Sequence, residues 1–224
     1  MKYKTFLVII IFQIFCSTHS SYVFAFSTSY INGRVGGNTY YLFNEAYQKL
    51  KYKNNHIDKN ARAYDLGCGS GNEDVFLIAK GWQVDCIDKN SQPQRIIPVR
   101  SKGLPGHFSF QQGDFSQLSM HGKYNFVFAI FSLPFGKKSD MLSIFQTVQQ
   151  HLATNGFFAF TMNGPSASFN DDGSTFGLTK AELRNLISES NLKINTLLRR
   201  KYAQKDFSGN RQQWDVYDVV VRTD

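Results

Sequence analysis

The chain is 224 residues long and carries a formal net charge of +8; 42% of its residues are hydrophobic and 15% aromatic. That length and apolar content fit one domain with a substantial core and exclude a predominantly disordered chain. The positive balance permits contact with nucleic acid, anionic lipid or acidic molecules but requires none of them.

Residues 1–26 read as a separate, signal-peptide-like segment. Lys2 and Lys4 form a basic start, residues 5–15 are almost wholly apolar, and Ser17, Thr18, Ser20 and Ala25 follow. The apolar run is shorter than the ~20 residues a spanning helix needs. Export is therefore favoured over a permanent anchor, and membrane contact is expected through this segment alone. The alternative is a true start of translation near Val23.

Residues 27–60 supply a helix and a linker. Leu42, Phe43, Ala46, Tyr47 and Leu50 recur at helical spacing over 38–51, whereas 51–60 is polar. This helix either closes over a ligand, with Tyr40 or Tyr41 as lid residues, or packs on a sheet.

From 61 to 224 strands and helices alternate. Strands are predicted over 61–66, 82–87, 107–111, 124–130, 156–162, 192–199 and 214–221, and helices over 72–80, 139–152 and 179–190. The last helix opens on the capping box Thr179-Lys180-Ala181-Glu182. The strand at 124–130 is strongly apolar, the pattern of burial on both faces of a parallel sheet. The alternation implies an α/β, doubly wound sheet in one domain.

Cys16, Cys68 and Cys86 form no C-x-x-C pair, so neither a zinc site nor a disulfide framework is expected. Cys68 and Cys86 read as small buried hydrophobes. No metal site is expected; Asp171 and Asp172 are candidates for a divalent ion but fit a solvated turn better. His107, His121 and His151 read as surface or packing residues.

The informative segment is Asp65-Leu66-Gly67-Cys68-Gly69-Ser70-Gly71, between the first predicted strand and helix. Glycines at these positions allow a sharp turn and close backbone approach to a ligand. The following helix points free N–H groups into the same crevice, at the carboxyl ends of the strands. Asp88 closes the second strand about 20 residues on, placed to accept ribose hydroxyls. A nicotinamide cofactor shares this much, but its fingerprint requires glycine where Asn72 stands.

G-x-G-x-G after Asp65 resembles motif I of class I S-adenosylmethionine-dependent methyltransferases. Gly113-Asp114-Phe115 resembles their adenine-contacting segment, in which the acid meets the adenine amine and the next side chain packs on the ring. Gly81-Trp82, Ile87-Asp88-Lys89, Ser132-Leu133-Pro134-Phe135, Phe176 to Glu182 and the strand carrying Trp214 are similar to one bacterial subgroup, the tellurite-resistance type. Relatives there carry histidines beside the tryptophan, whereas Gln213 and Asp215 stand here. The resemblance implies a mostly parallel, seven-stranded Rossmann-like sheet with an antiparallel last strand. It implies S-adenosyl-L-methionine as cofactor, contacted by Asp65, Gly67, Cys68, Gly69, Gly71, Asp88, Lys89, Asp114, Phe115 and Ile130. Phe131 and Phe135 either wall the methyl group or pack the core. Ser132 to Phe135 is also reminiscent of the Asn/Asp-Pro-Pro-Tyr/Phe motif of nucleic-acid amino-methylating enzymes, but lacks its first proline and amide. A small-molecule acceptor is expected, and no nucleic-acid partner.

Overall fold

A computed structural model describes residues 39–53, 60–205 and 210–223, so the signal-like segment and the middle of the predicted linker lie outside the described residues. Helix α1 (Tyr41–Lys53) precedes the alternating part, β1 (Arg62–Leu66), α2 (Asn72–Ile78), β2 (Gln83–Asp88), α3 (Gln92–Arg100), β3 (His107–Gln112), β4 (Tyr124–Ala129), α4 (Met141–His151) and β5 (Leu152–Asn163). Then come α5 (Lys180–Glu189), β6 (Lys193–Lys205) and β7 (Arg211–Arg222). All seven strands form one sheet in the order β3-β2-β1-β4-β5-β7-β6. The pairs from β3 through β5 are parallel, and β7 is antiparallel to both its neighbours. The order reverses between β1 and β4, which opens a crevice at their carboxyl ends.

Side chains alternate across the sheet, as strand geometry demands. Phe126 and Phe128 of β4 and Phe157 of β5 face one core, shared with Leu42, Phe43 and Leu50 of α1, Leu77 of α2 and Ile97 of α3. Val127, Phe158 and Phe160 face the other, against Ile144, Phe145 and Val148 of α4 and Leu183 and Ile187 of α5. The helices therefore cover both faces. Among the described residues no helix is long and apolar enough to cross a membrane.

Three elements differ from expectation. Helix α3 is not visible in the pattern because Pro93 and Pro98 fall within its nine residues; Pro93 sits in the first turn, where a backbone N–H has no helical partner anyway. Strand β5 begins at Leu152, directly from α4, and absorbs a register shift against β4, with Asn155 at φ 61°. Strands β6 and β7 extend into a long polar hairpin arm, pairing as far as Lys205 with Arg211.

Candidate functional site

The glycine turn at the end of β1 is fastened to three successive residues of β2. Ile87 accepts the Gly67 N–H at 2.8 Å, and Asp88 Oδ2 accepts the Gly69 N–H at 3.0 Å. Cys86 is joined to Cys68 by a disulfide with Cα atoms 6.1 Å apart. The expectation of two separate apolar cysteines is thereby corrected. Parallel pairing sets Asp65 opposite Cys86, and the turn carries Cys68 back over that position; spacing alone, without the register, does not show this.

Two of the glycines serve packing as well as flexibility. Gly67 has φ 94°, and a Cβ there would strike Ser132, whose hydroxyl donates to the Leu66 carbonyl. Gly71, at φ 68°, precedes α2 and leaves room for Ile97 of α3. From α3, Arg100 donates to the Ser70 carbonyl and to Asn72 Oδ1. The turn is thus held from β2, α3 and the loop after β4.

Carboxylates gather around it. Asp88 takes the N–H of Gly69 on one oxygen and that of Asn90 on the other, which leaves lone pairs for a diol. Burial raises its pKa, against the pull of those N–H groups. Asp65 is almost fully buried beside the fully buried Asp74, both of whose carboxylate oxygens lack a hydrogen-bond partner. Burial raises both pKa values; the Asp74 charge raises that of Asp65 further. Glu73 is buried beside them. Neither Glu73 nor Asp74 is singled out by the motif, although both acids are plain in the sequence just after Gly71.

The remaining predicted residues fall into two groups. Phe115 lies against the turn, its ring 3.5 Å from where a Gly67 Cβ would stand. Ile130 is buried at the end of β4. Asp114 borders the same region, but Oδ1 accepts the Ser116 N–H and the residue forms a capping box with Gln117. Lys89 is exposed after β2. His121 lies in the turn before β4 at the opposite edge, bonded to Ser119. Asp172 accepts the Ser174 N–H at 2.8 Å, the geometry of a turn.

An aromatic wall closes the β4–β5 side. Phe131 takes φ 56°, held by its N–H donating to the buried Thr161 hydroxyl at 2.7 Å. Its ring meets Tyr40 at 4.7 Å and Trp214 at 5.8 Å between centroids. Trp214 also contacts Phe169 at 4.6 Å and stacks on Tyr202. Phe131 is partly buried and packs against the core on the α1 face of the sheet as well as on these rings. Tyr40 reaches across: its N–H donates to Glu73 Oε1 at 2.8 Å, and its hydroxyl to the buried Asp218 at 3.2 Å. Tyr41 and Arg200 complete the ring of donors on Asp218. Next to Trp214, Asp215 is held bidentately by Arg199 at 2.8 Å and accepts the N–H and hydroxyl of Ser166.

These groups suit a molecule with an ammonium, a ribose diol and a flat base. Burial and mutual proximity hold Asp65 and Asp74 back from ionising, and an ammonium beside them would favour their charged forms. Asp88 can accept hydroxyls, and Phe115 offers a ring.

The family model described as "Tellurite resistance protein TehB" matches residues 40–213. TehB from Haemophilus influenzae superposes with a TM-score of 0.61 at 17% identity over 74% of this chain, which spans 58% of that protein. An S-adenosylmethionine-dependent methyltransferase from Clostridium acetobutylicum gives 0.63 at 16% identity over 88% of this chain and 97% of that one. One from Methanosarcina mazei gives 0.58 at 20% identity, covering 77% and 96%. No curated protein sequence matches the chain. With the matched region spanning most of the sequence and the glycine turn, carboxylates and sheet order in place, the chain belongs to the TehB family of class I methyltransferases, for which S-adenosyl-L-methionine is the expected cofactor.

Proposed function

We propose that the chain binds S-adenosylmethionine across the glycine turn and transfers its methyl group to a small-molecule acceptor beside Phe131. The observation that carries this reading is the wall formed by Tyr40, Phe131 and Trp214 next to the turn. The bound cofactor supplies an electrophilic methyl group. Asp65 and Asp74 would hold its ammonium, Asp88 its ribose, and Phe115 its adenine. Displacement at the methyl carbon is in-line, so the protein's main task is alignment, which can supply roughly 7–11 kcal/mol. Asp215 and Asp218 are each bound to an arginine and serve as anchors rather than bases.

The signal-like start favours a second reading, an exported interaction protein that keeps the fold without catalysis. Export is part of the proposal; an enzyme drawing on the cell's own S-adenosylmethionine must instead stay in the cytosol, and an exported enzyme must be delivered into one. Calorimetry on the full chain with S-adenosylmethionine, S-adenosylhomocysteine and NAD separates the readings. Binding of the first two and not the third is expected; no binding of either sulfur compound would overturn the enzymatic reading.

A further inference from the structure

We propose that the Cys68–Cys86 pair is a redox modification site inside the cofactor site, and that its oxidation sets the affinity for the cofactor. The inference rests on the methyltransferase reading of the glycine turn.

The position of the bond carries the argument. Cys68 stands between Gly67 at φ 94° and Gly69 at φ 49°. Glycine has the widest conformational freedom of any residue, so this stretch is the loosest part of the site unless something restrains it. Cys86 belongs to β2 and lies two residues before Asp88. The bond therefore ties the centre of the turn to the strand that carries the ribose carboxylate. It runs beside the two hydrogen bonds that join the same partners, Gly67 to Ile87 and Gly69 to Asp88. It also closes a covalent loop around the whole of α2, including Glu73 and Asp74. Oxidised, the turn and Asp88 are fixed relative to each other before any ligand arrives. Reduced, only the hydrogen bonds remain, and ordering the glycines falls to the binding step, which lowers affinity. Binding and oxidation are then linked, and each favours the other by the same factor.

The chemistry is an ordinary thiol–disulfide exchange. One cysteine thiolate attacks a low-molecular-weight disulfide such as oxidised glutathione, forms a mixed disulfide and releases one glutathione thiol. The second cysteine thiolate attacks the protein sulfur of that mixed disulfide and releases the second. The protein loses two electrons and two protons, and the glutathione disulfide gains them. Both cysteines are buried, Cys68 at 6% and Cys86 at 1% exposure, so exchange starts at Cys68 when the glycine turn opens.

The test is calorimetry of S-adenosylhomocysteine on the full chain, equilibrated with oxidised glutathione or with a phosphine reductant. Circular dichroism is recorded on both forms, and mass spectrometry after alkylation counts free thiols. The oxidised form is expected to bind about fivefold or more tightly than the reduced form, with the same helix signal. The double variant Cys68→Ala, Cys86→Ala should bind like the reduced form and ignore the reductant, while Cys16→Ser should keep the full response. Equal affinity in both forms, failure of the pair to oxidise, or loss of the helix signal on reduction would each overturn the proposal. Absence of binding in both forms would instead remove the methyltransferase reading on which it rests.

Discussion

The Tyr40 backbone N–H donates to the Glu73 carboxylate at 2.8 Å, which docks the start of α1 on the helix that follows the glycine turn. The same residue places its hydroxyl on Asp218 and Arg200 and its ring on Phe131. Backbone and side chain of one residue thus join α2, β7 and the loop after β4, and the lid position and the packing position of α1 are the same. Tyr40→Phe should lose about 1 kcal/mol, one hydrogen-bonding group, seen as a melting temperature lower by about 2–4 °C. Tyr40→Ala should also speed the release of S-adenosylhomocysteine in stopped-flow measurements, since the wall beside Phe131 opens. An unchanged release rate would deny Tyr40 a part in closure.

Asp88 and Asp114 should separate sharply. Asp88→Ala removes the acceptor of two backbone N–H groups and the proposed ribose contacts. Charge-assisted hydrogen bonds contribute about 1.5–3 kcal/mol each, so calorimetry should show a drop in S-adenosylhomocysteine affinity of about a hundredfold or more. Asp114 is committed to its own capping box. Its alanine variant should lose about tenfold or less, the effect of one contact.

The buried acids predict a trade of stability against binding. Burial raises the pKa of Asp65 and Asp74, with the neighbouring Asp74 charge adding to the first. A carboxyl whose folded pKa is raised favours its protonated form. Its penalty is absent below about pH 4, the ordinary value, grows as pH rises and is complete above the folded pKa. Asp74→Asn should therefore stabilise the cofactor-free protein at about pH 8 by about 1–2 kcal/mol and leave it nearly unchanged below pH ~4. The same variant should bind S-adenosylmethionine more weakly. Urea denaturation at the two pH values checks the first part, and equal midpoints at the higher pH would contradict it.

Asp215 works in the opposite sense. Hydrogen bonds from Arg199 hold its carboxyl well below the usual carboxylate range, with Ser166 adding to the effect. A depressed folded pKa contributes stability above about pH 4 that is lost as pH falls toward the folded value. Asp215→Ala should cost about 2–3 kcal/mol at neutral pH and less in acid. That is below the 3–5 kcal/mol of a fully buried broken pair, because Arg199 is 37% exposed and can rehydrate.

Reduction of the disulfide should cost stability by a separate route. The bond closes a loop between residues 18 apart, and chain entropy puts such a closure at about 3 kcal/mol. The urea midpoint should fall accordingly in reductant, with far-ultraviolet signal preserved before unfolding.

The sheet and the cofactor turn were legible in the sequence because each rests on local pattern. The strongly apolar segment 124–130 fits the inside of a parallel sheet, and a glycine-rich turn with Asp65 before it and Asp88 at the end of the next strand has few structural alternatives. What was not legible depends on distant register. The Cys68–Cys86 bond and the Tyr40–Asp218 contact join residues that only strand pairing brings together. The hairpin arm was read too short because 200–205 and 211–213 are polar and pack on no core. The anchoring of Asp215 depends on Gly164 as well: a Cβ there would collide with the Asp215 carboxylate, so only glycine lets the loop after β5 fold onto it.

Strand β7 alone runs against the sheet, so its beginning, not its end, overhangs the crevice. Trp214, near the start of that strand, and Tyr40, just before α1, therefore meet Phe131 from distant parts of the chain. The same strand buries Tyr217, Val219 and Val221 between β5 and β6, so the residue that meets Phe131 is carried by part of the core.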